Sequence, residues 1–302
     1  MHVKKWEEKL QNLENILTKV NNTKNILLID IMKLTKKLRF NITNSLLNIN
    51  LITAINQKYA IKNKLIHNKN NKGAILNKIK SIFKRSPKLW IYLTEKQKYS
   101  TDSYTRYEKK LLEVAAKNKD DFIAIGDRAT EFCKTNKLNI VKSYSEEDKT
   151  ITNIPLVLSQ LIKILNLENN YSEVNFVLNT NKNFNGYFTI LPIDQFDVNK
   201  LVHEEKINTL AFDISNFKIY PKIEEFIENE INIFLENAIY SLVIESSFYN
   251  AKNDLVTTNK IVGQIEEEIE SIKKKTMRIR REKEIEEIVM LTMSNEKNGG
   301  FK

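Results

Sequence analysis

Charge is densest towards the C-terminus, in SIKKKTMRIRREKEIEEIVML (271–291). There Lys273, Lys274, Lys275, Arg278, Arg280 and Arg281 precede Glu284 and Glu287, while isoleucines return at helical spacing. A polycationic turn of this kind is suited to an acidic protein surface, to nucleic acid, to anionic lipid, or to solvent along one face of a paired helix. A nucleic-acid reader needs polar or aromatic base readers among its cations, and this stretch has none. Other chemistry is sparse. The sequence contains no G-x-x-x-x-G-K-[ST] phosphate loop and no G-x-G-x-x-G; KLWIYLT (88–94) is followed by the glycine-free EKQKYSTDSY. His2, His67 and His203 have no metal-ligand spacing, and Cys133 in ATEFCKTN has no partner at a catalytic spacing and reads as a small packed hydrophobe. Gly126 suits a tight strand-to-helix turn, and the acidic groups Asp120–Asp121 and Glu146–Glu147–Asp148 read as solvated turns. No residue set is expected to perform catalysis, and no metal or cofactor site is expected on this chain.

The elements that must carry the charged stretch follow from punctuation. All four prolines, Pro87, Pro155, Pro192 and Pro221, lie mid-chain, so long helices are permitted at both ends. Ile244, Phe248, Ala251, Leu255, Thr258, Val262, Ile265, Ile269, Ile272, Thr276 and Ile279 alternate three and four apart, a heptad seam. Pro221 suits a helix start, and a helix from there to Gly299 would be on the order of 100 Å long. The other end answers with Trp6, Leu10, Leu13, Leu17, Val20, Leu27, Ile31, Leu34 and Leu38, with Lys24 on the seam, and the stripe then shifts through Ile42, Leu46 and Ile49 before NKNNKG (68–73). Two seams at opposite ends of one chain predict an antiparallel coiled coil.

Between them the period changes. KLWIYLT, DFIAIG (121–126), LNIVKSY (138–144), EVNFVLNT (173–180) and GYFTILPI (186–193) read as strands, with helical patterns at 104–118 and 154–167. The fold class is therefore an α/β element inserted in an all-α one: a Rossmann-like domain of mostly parallel strands between two long helices. The expected boundaries are 1–70 for the N-terminal helix, 71–86 for a linker, 87–212 for the α/β domain, 213–298 for the C-terminal helix and 299–302 for a tail.

Composition is compatible with this. The 302 residues carry 48 Lys+Arg against 38 Asp+Glu, a net +10, and 41% hydrophobic residues, enough for a core. One cysteine cannot form an internal disulfide and no apolar run approaches the roughly 20 residues of a membrane span, so a cytoplasmic protein is expected. The abundance of Asn, Lys and Ile fits an AT-rich genome.

The layout and both ends resemble the gamma subunit of F-type ATP synthases. NNTKNILLIDIMKLTKKLR (21–39) falls without gaps on that family's N-T-x-x-I-x-x-A-M-x-M-V-A-x-x-K-L-R, matching at Asn22, Thr23, Ile26, Met32, Lys37, Leu38 and Arg39. EIEEIV (284–289) falls on E-I-x-E-I-V, with Glu284 and Glu287, and DDFIAIGDRATEFCKTNKLNIVKSYSEEDK resembles the family's strand, glycine turn, helix and strand. Ile29–Asp30 stands where the family has Ala-Met, Lys33–Leu34–Thr35–Lys36 replaces its alanine-rich run, Met277–Arg278 replaces Arg-Gln, and the S-D-x-G-L-C-G loop is TEKQKYST. The departures suit a divergent paralogue, from a specialised rotary ATPase such as those of gliding mollicutes.

The resemblance implies a non-catalytic central shaft that transmits torque between its load and a hexameric ring of alpha- and beta-like subunits. Lys273 to Lys275 and Arg278 to Arg281 would face acidic loops of the ring, and Ile285, Ile288, Val289 and Leu291 would turn in a hydrophobic collar. ATP, ADP and Mg would belong to the partners. An epsilon-like subunit or another load would meet the α/β domain, at the cytoplasmic face of a membrane that the chain does not enter. The rival readings of the sequence are a stand-alone coiled-coil tether or adaptor and a basic DNA-associated coiled-coil protein.

Overall fold

A computed structural model describes residues 2–61, 63–66, 86–97, 102–145, 154–183, 186–201, 214, 217–220 and 222–298. In chain order the elements are α1 (His2–Tyr59), β1 (Lys88–Leu93), α2 (Thr105–Val114), β2 (Asp121–Ile125), α3 (Asp127–Thr135), β3 (Asn139–Tyr144), α4 (Ile154–Asn169), β4 (Glu173–Val177), β5 (Tyr187–Leu191) and α5 (Ile223–Asn298). They form two compact units, Met1–Asp30 with Lys252–Lys302 and Ile31–Ala251.

The larger unit is built on a five-stranded sheet of order β3-β2-β1-β4-β5. The pairs β3–β2, β2–β1 and β1–β4 are parallel and β4–β5 is antiparallel, so the sheet is mixed. Alternation along β1 explains how both faces are covered. Leu89, Ile91 and Leu93 point to one side with Ile123, Ile125, Val174 and Phe176, and pack against Leu38, Ile42, Ile52 and Ile55 of α1, Leu158 and Ile162 of α4, and Ile231, Phe234, Leu235 and Ile239 of α5. Trp90 and Tyr92 point to the other side with Phe122 and Ala124, and meet Tyr107 and Leu111 of α2 and Ala129 and Cys133 of α3. Strands buried on both faces read as continuous apolar runs, which is why DFIAI and KLWIYL show in the sequence. Gly126 supplies the turn from β2 into α3 with φ 98°, a conformation a side chain disfavours, and its amide donates to the Tyr144 carbonyl at 2.8 Å.

Several expectations need correction. The N-terminal helix stops at Tyr59 rather than near residue 70, because Ala60 adopts φ 48° and its amide closes on the Asn56 carbonyl at 2.8 Å. A left-handed terminator is ordinarily glycine, and an alanine in that role leaves no stop signal to read. The C-terminal helix starts at Ile223, not 213; Ile214 and Phe217–Tyr220 are not helical, and Pro221 disfavours helix in the residue before it. β5 runs antiparallel because only Leu178–Gly186 connects it to β4, whereas a parallel crossover takes about a dozen residues or more. Asp120 is not a solvated turn residue. It is 1% exposed, and its carboxylate accepts from Trp90 Nε1 at 3.0 Å, the Lys88 amide at 3.1 Å and the Ala116 amide at 2.9 Å. The linker 71–85, His67, His203, Pro221, Glu146–Glu147–Asp148 and the tail 299–302 lie outside the described residues.

Candidate functional site at the charged end of the C-terminal helix

In the smaller unit, side chains between Trp6 and Glu14 of α1 meet side chains between Glu268 and Arg280 of α5. The seam positions Val262, Ile269, Ile272 and Thr276 of α5 are buried, and Leu255, Ile265 and Ile279 are partly covered. On α1, Leu27 is buried while Trp6, Leu10, Leu13, Leu17 and Val20 are partly covered, as is Lys24. Polar pairs across the helices fix the direction: Glu14 meets Lys273 at 3.1 Å and Glu7 meets Arg280, so seven residues forward on α1 match seven backward on α5. Lys9 meets Glu268 at 2.8 Å, and the Lys275 ammonium lies 5.7 Å from the centre of the Trp6 ring. Each of these ion pairs is solvated on both sides, so each contributes little, about 0–1 kcal/mol; the covered apolar seam stabilises the pair, and the charges set its direction.

Two of the remaining cations of the sequence-predicted set pair along α5 itself. Lys274 meets Glu270 at 2.6 Å on the same helix and holds that carboxyl below its ordinary pKa through the hydrogen bond. Arg278 meets Glu282 at 3.2 Å, and Arg281 is exposed. The cationic turn is thus held in place by glutamates of both helices, with its outer surface still in water.

Beyond Arg280 the helix changes character. Residues 281–293 are all exposed, including Glu284 and Glu287 of the EIEEIV stretch. Ile285 and Ile288 are each 60% exposed, Val289 45% and Leu291 65%. Met290 and Met293, at 74% and 61%, were not in the predicted set, although the run IVMLTM announces them. At 100° per residue, Ile288 to Met293 distribute apolar side chains right around the helix. A helix apolar on every side is a form otherwise found buried.

The N-terminal motif falls into two groups. Asn22, Thr23 and Ile26, in the smaller unit, are exposed, and Thr23 Oγ1 donates to the Lys19 carbonyl at 3.1 Å. In the larger unit Leu38 is buried in the core, while Met32, Lys37 and Arg39 are exposed. Among the described residues no group of three metal-ligating side chains comes together, and no helix is long and apolar enough to cross a membrane.

No family model matches the sequence. A curated relative does: the chain is 43% identical over 296 residues to uncharacterized protein UU050 of Ureaplasma parvum serovar 3, covering 98% of this chain and 95% of the relative. The chain belongs to the family of that protein. Among solved structures it is similar to a chain of the Euglena gracilis mitochondrial ATP synthase (OSCP/F1/c-ring), with TM-score 0.47, 14% identity, and 100% of this chain and 97% of that chain covered. A chain from the central stalk and c-ring of the Tetrahymena thermophila mitochondrial ATP synthase aligns with TM-score 0.38 and 13% identity, covering 78% of this chain and 99% of that one.

Proposed function

We propose that this chain is the central shaft, a gamma-like subunit, of an F-type rotary ATPase. The observation that carries the reading is the end of α5: a cationic turn followed by a helix tip that is apolar on all sides and uncovered, on the segment whose sequence resembles the gamma subunit's C-terminal motif. In this reading 2–30 and 252–298 are an antiparallel coiled coil, and the tip turns inside a collar formed by a hexameric ring of alpha- and beta-like subunits. Apolar burial is non-directional, so a collar can hold the tip without interlocking with it. Lys273 to Lys275 and Arg278 to Arg281 face acidic loops of the ring. Such attraction amounts to about 1 kcal/mol per pair at 4 Å in water and about 4 at an effective dielectric of 20, which allows exchange from one loop to the next.

A single shaft presents different faces to otherwise identical catalytic subunits, and only differential contact can shift their equilibria. Nucleotide, Mg and the hydrolytic groups belong to the ring, and this chain is its torque-bearing, non-catalytic part. The α/β unit meets an epsilon-like subunit or another load, and a specialised motor such as that of mollicute gliding is one such load.

Affinity purification of the tagged chain from its own cell tests this. We expect a stoichiometric complex with nucleotide-binding ring subunits, and truncation after Arg281 is expected to lower the ATPase rate and torque of the reconstituted assembly at least several-fold. A well-folded chain that never associates with such a ring, or a truncated one with unchanged assembly, rate and torque, refutes the reading.

A further inference from the structure

In an open α/β sheet the ligand crevice lies beyond the carboxyl ends of the strands, where the chain reverses its direction of travel across the sheet. Here that point lies between β1 and β4, because the chain runs from β1 outward through β2 to β3 and returns to β4 on the other side. The residues that follow those two strands are occupied by α5. Glu95, just after β1, accepts from Ser247 Oγ at 2.9 Å and from Asn250 Nδ2 at 2.6 Å. Asn179, just after β4, donates through Nδ2 to Asn250 Oδ1 at 2.7 Å. Thr180 Oγ1 donates to Glu245 Oε1 at 2.7 Å, and Lys182 Nζ lies 3.0 Å from Glu245 Oε2. The Lys182 and Glu245 side chains are 5% and 1% exposed. All of these residues belong to the larger unit.

We propose that this cluster is a register clamp: it fixes where α5 sits on the sheet, along its axis and in rotation, so that sheet and helix turn as one body. The part played in turning rests on the shaft reading; the clamp itself does not. Elsewhere α5 meets the sheet through aliphatic and aromatic side chains such as Ile231, Phe234, Leu235 and Ile239. Packing of that kind has no fixed direction, and one-turn shifts of packed elements are a known way for proteins to move. The polar residues forbid such a shift. Sliding α5 one turn either way brings Ser241 or Tyr249 to the place of Glu245, leaving the buried Lys182 without its counter-charge. In one direction the same slide brings Asp254 to the place of Asn250, against Glu95, and in the other it brings Val243 to the place of Ser247. No neighbouring register satisfies the cluster, so it selects one.

The test uses the full chain with spin labels on cysteines introduced at the exposed positions Asn229 and Lys134, and reads their distance distribution by pulsed electron resonance. The parent should give one narrow distance. Lys182→Met with Glu245→Leu removes both charges together; we expect a broadened or doubled distribution, with a second population displaced by about 5 Å, one helical turn. Amides at 178–182 and 245–250 should exchange at least about ten-fold faster, by the local-opening logic. Lys182→Gln with Glu245→Gln, which keeps hydrogen-bonding capacity, should restore most of the narrow distribution. If the double aliphatic variant does not fold, Asn250→Ala alone is expected to show the broadening. A narrow, unshifted distance in folded variants overturns the clamp. Failure to find a ring partner would overturn the shaft reading while leaving this measurement intact.

Discussion

At the residue scale, the polar side chains of the α/β unit hold elements together. Arg128, at the start of α3, binds Glu108 of α2 at 2.8 Å and Asp102 at 2.9 Å, and Glu108 also accepts from the Tyr92 hydroxyl at 2.9 Å. Burial first, then the Glu108 charge, raises the Tyr92 pKa, and the hydrogen bond to Glu108 does most to raise that of Arg128. Hydrogen bonds from Thr105 and Arg128 lower the Asp102 carboxyl from 3.8 to about 2. A carboxyl depressed on folding contributes stability that is complete above its unfolded value and lost as pH falls through the folded one. Stability should therefore decline between about pH 4 and pH 2, and Asp102→Asn should flatten part of that decline in urea midpoints taken near pH 5 and near pH 2.5. Because Asp102 is half exposed, a small effect is expected. Cys133 matches its reading as a packed hydrophobe: it is fully buried, and burial pushes its thiol up to about 12. Asp120 and Glu245 were opaque in the sequence for one reason. Their partners, such as Trp90 at a separation of 30 and Thr180 at 65, are fixed by the fold, and no local spacing encodes them.

At the element scale, the legible parts were those where burial imposes a period. β1 and β2 read as apolar runs because both sheet faces are covered there, whereas the edge strand β3 is mostly exposed; the seams of α1 and α5 read as heptads because one stripe of each is covered. What periodicity could not give is where a helix stops when the stop is Ala60 instead of a glycine. The end of the seam, by contrast, shows in the spacing: after Ile279 the three-and-four pattern falls on Lys283 and Glu286, and Ile285 and Ile288 lie off that line. The seam itself is testable. Ile272 is 2% exposed, and Ile272→Ala should remove about 2–5 kcal/mol. The loss should appear as faster amide exchange at 262–279, with the strands unaffected. Equal loss across both units, or none, would contradict a seam-stabilised pair.

For the whole molecule, the two units rely on different physics. The larger one has a closed core on each face of its sheet, whereas the smaller has one line of buried and partly covered residues flanked by exposed ion pairs. Water-facing methyls from Ile285 to Met293 give the isolated chain a surface that favours association. Sedimentation of the purified chain at tens of micromolar should show oligomers that persist in high salt, since apolar contact is not screened. Met290→Ser with Leu291→Ser should return it to monomer, and a parent that is strictly monomeric would show that the tip does not adhere. That tip also bears on how the cell must treat this protein. A copy whose tip stays in water is a target for chaperones and proteases, so copies with this surface uncovered should be short-lived.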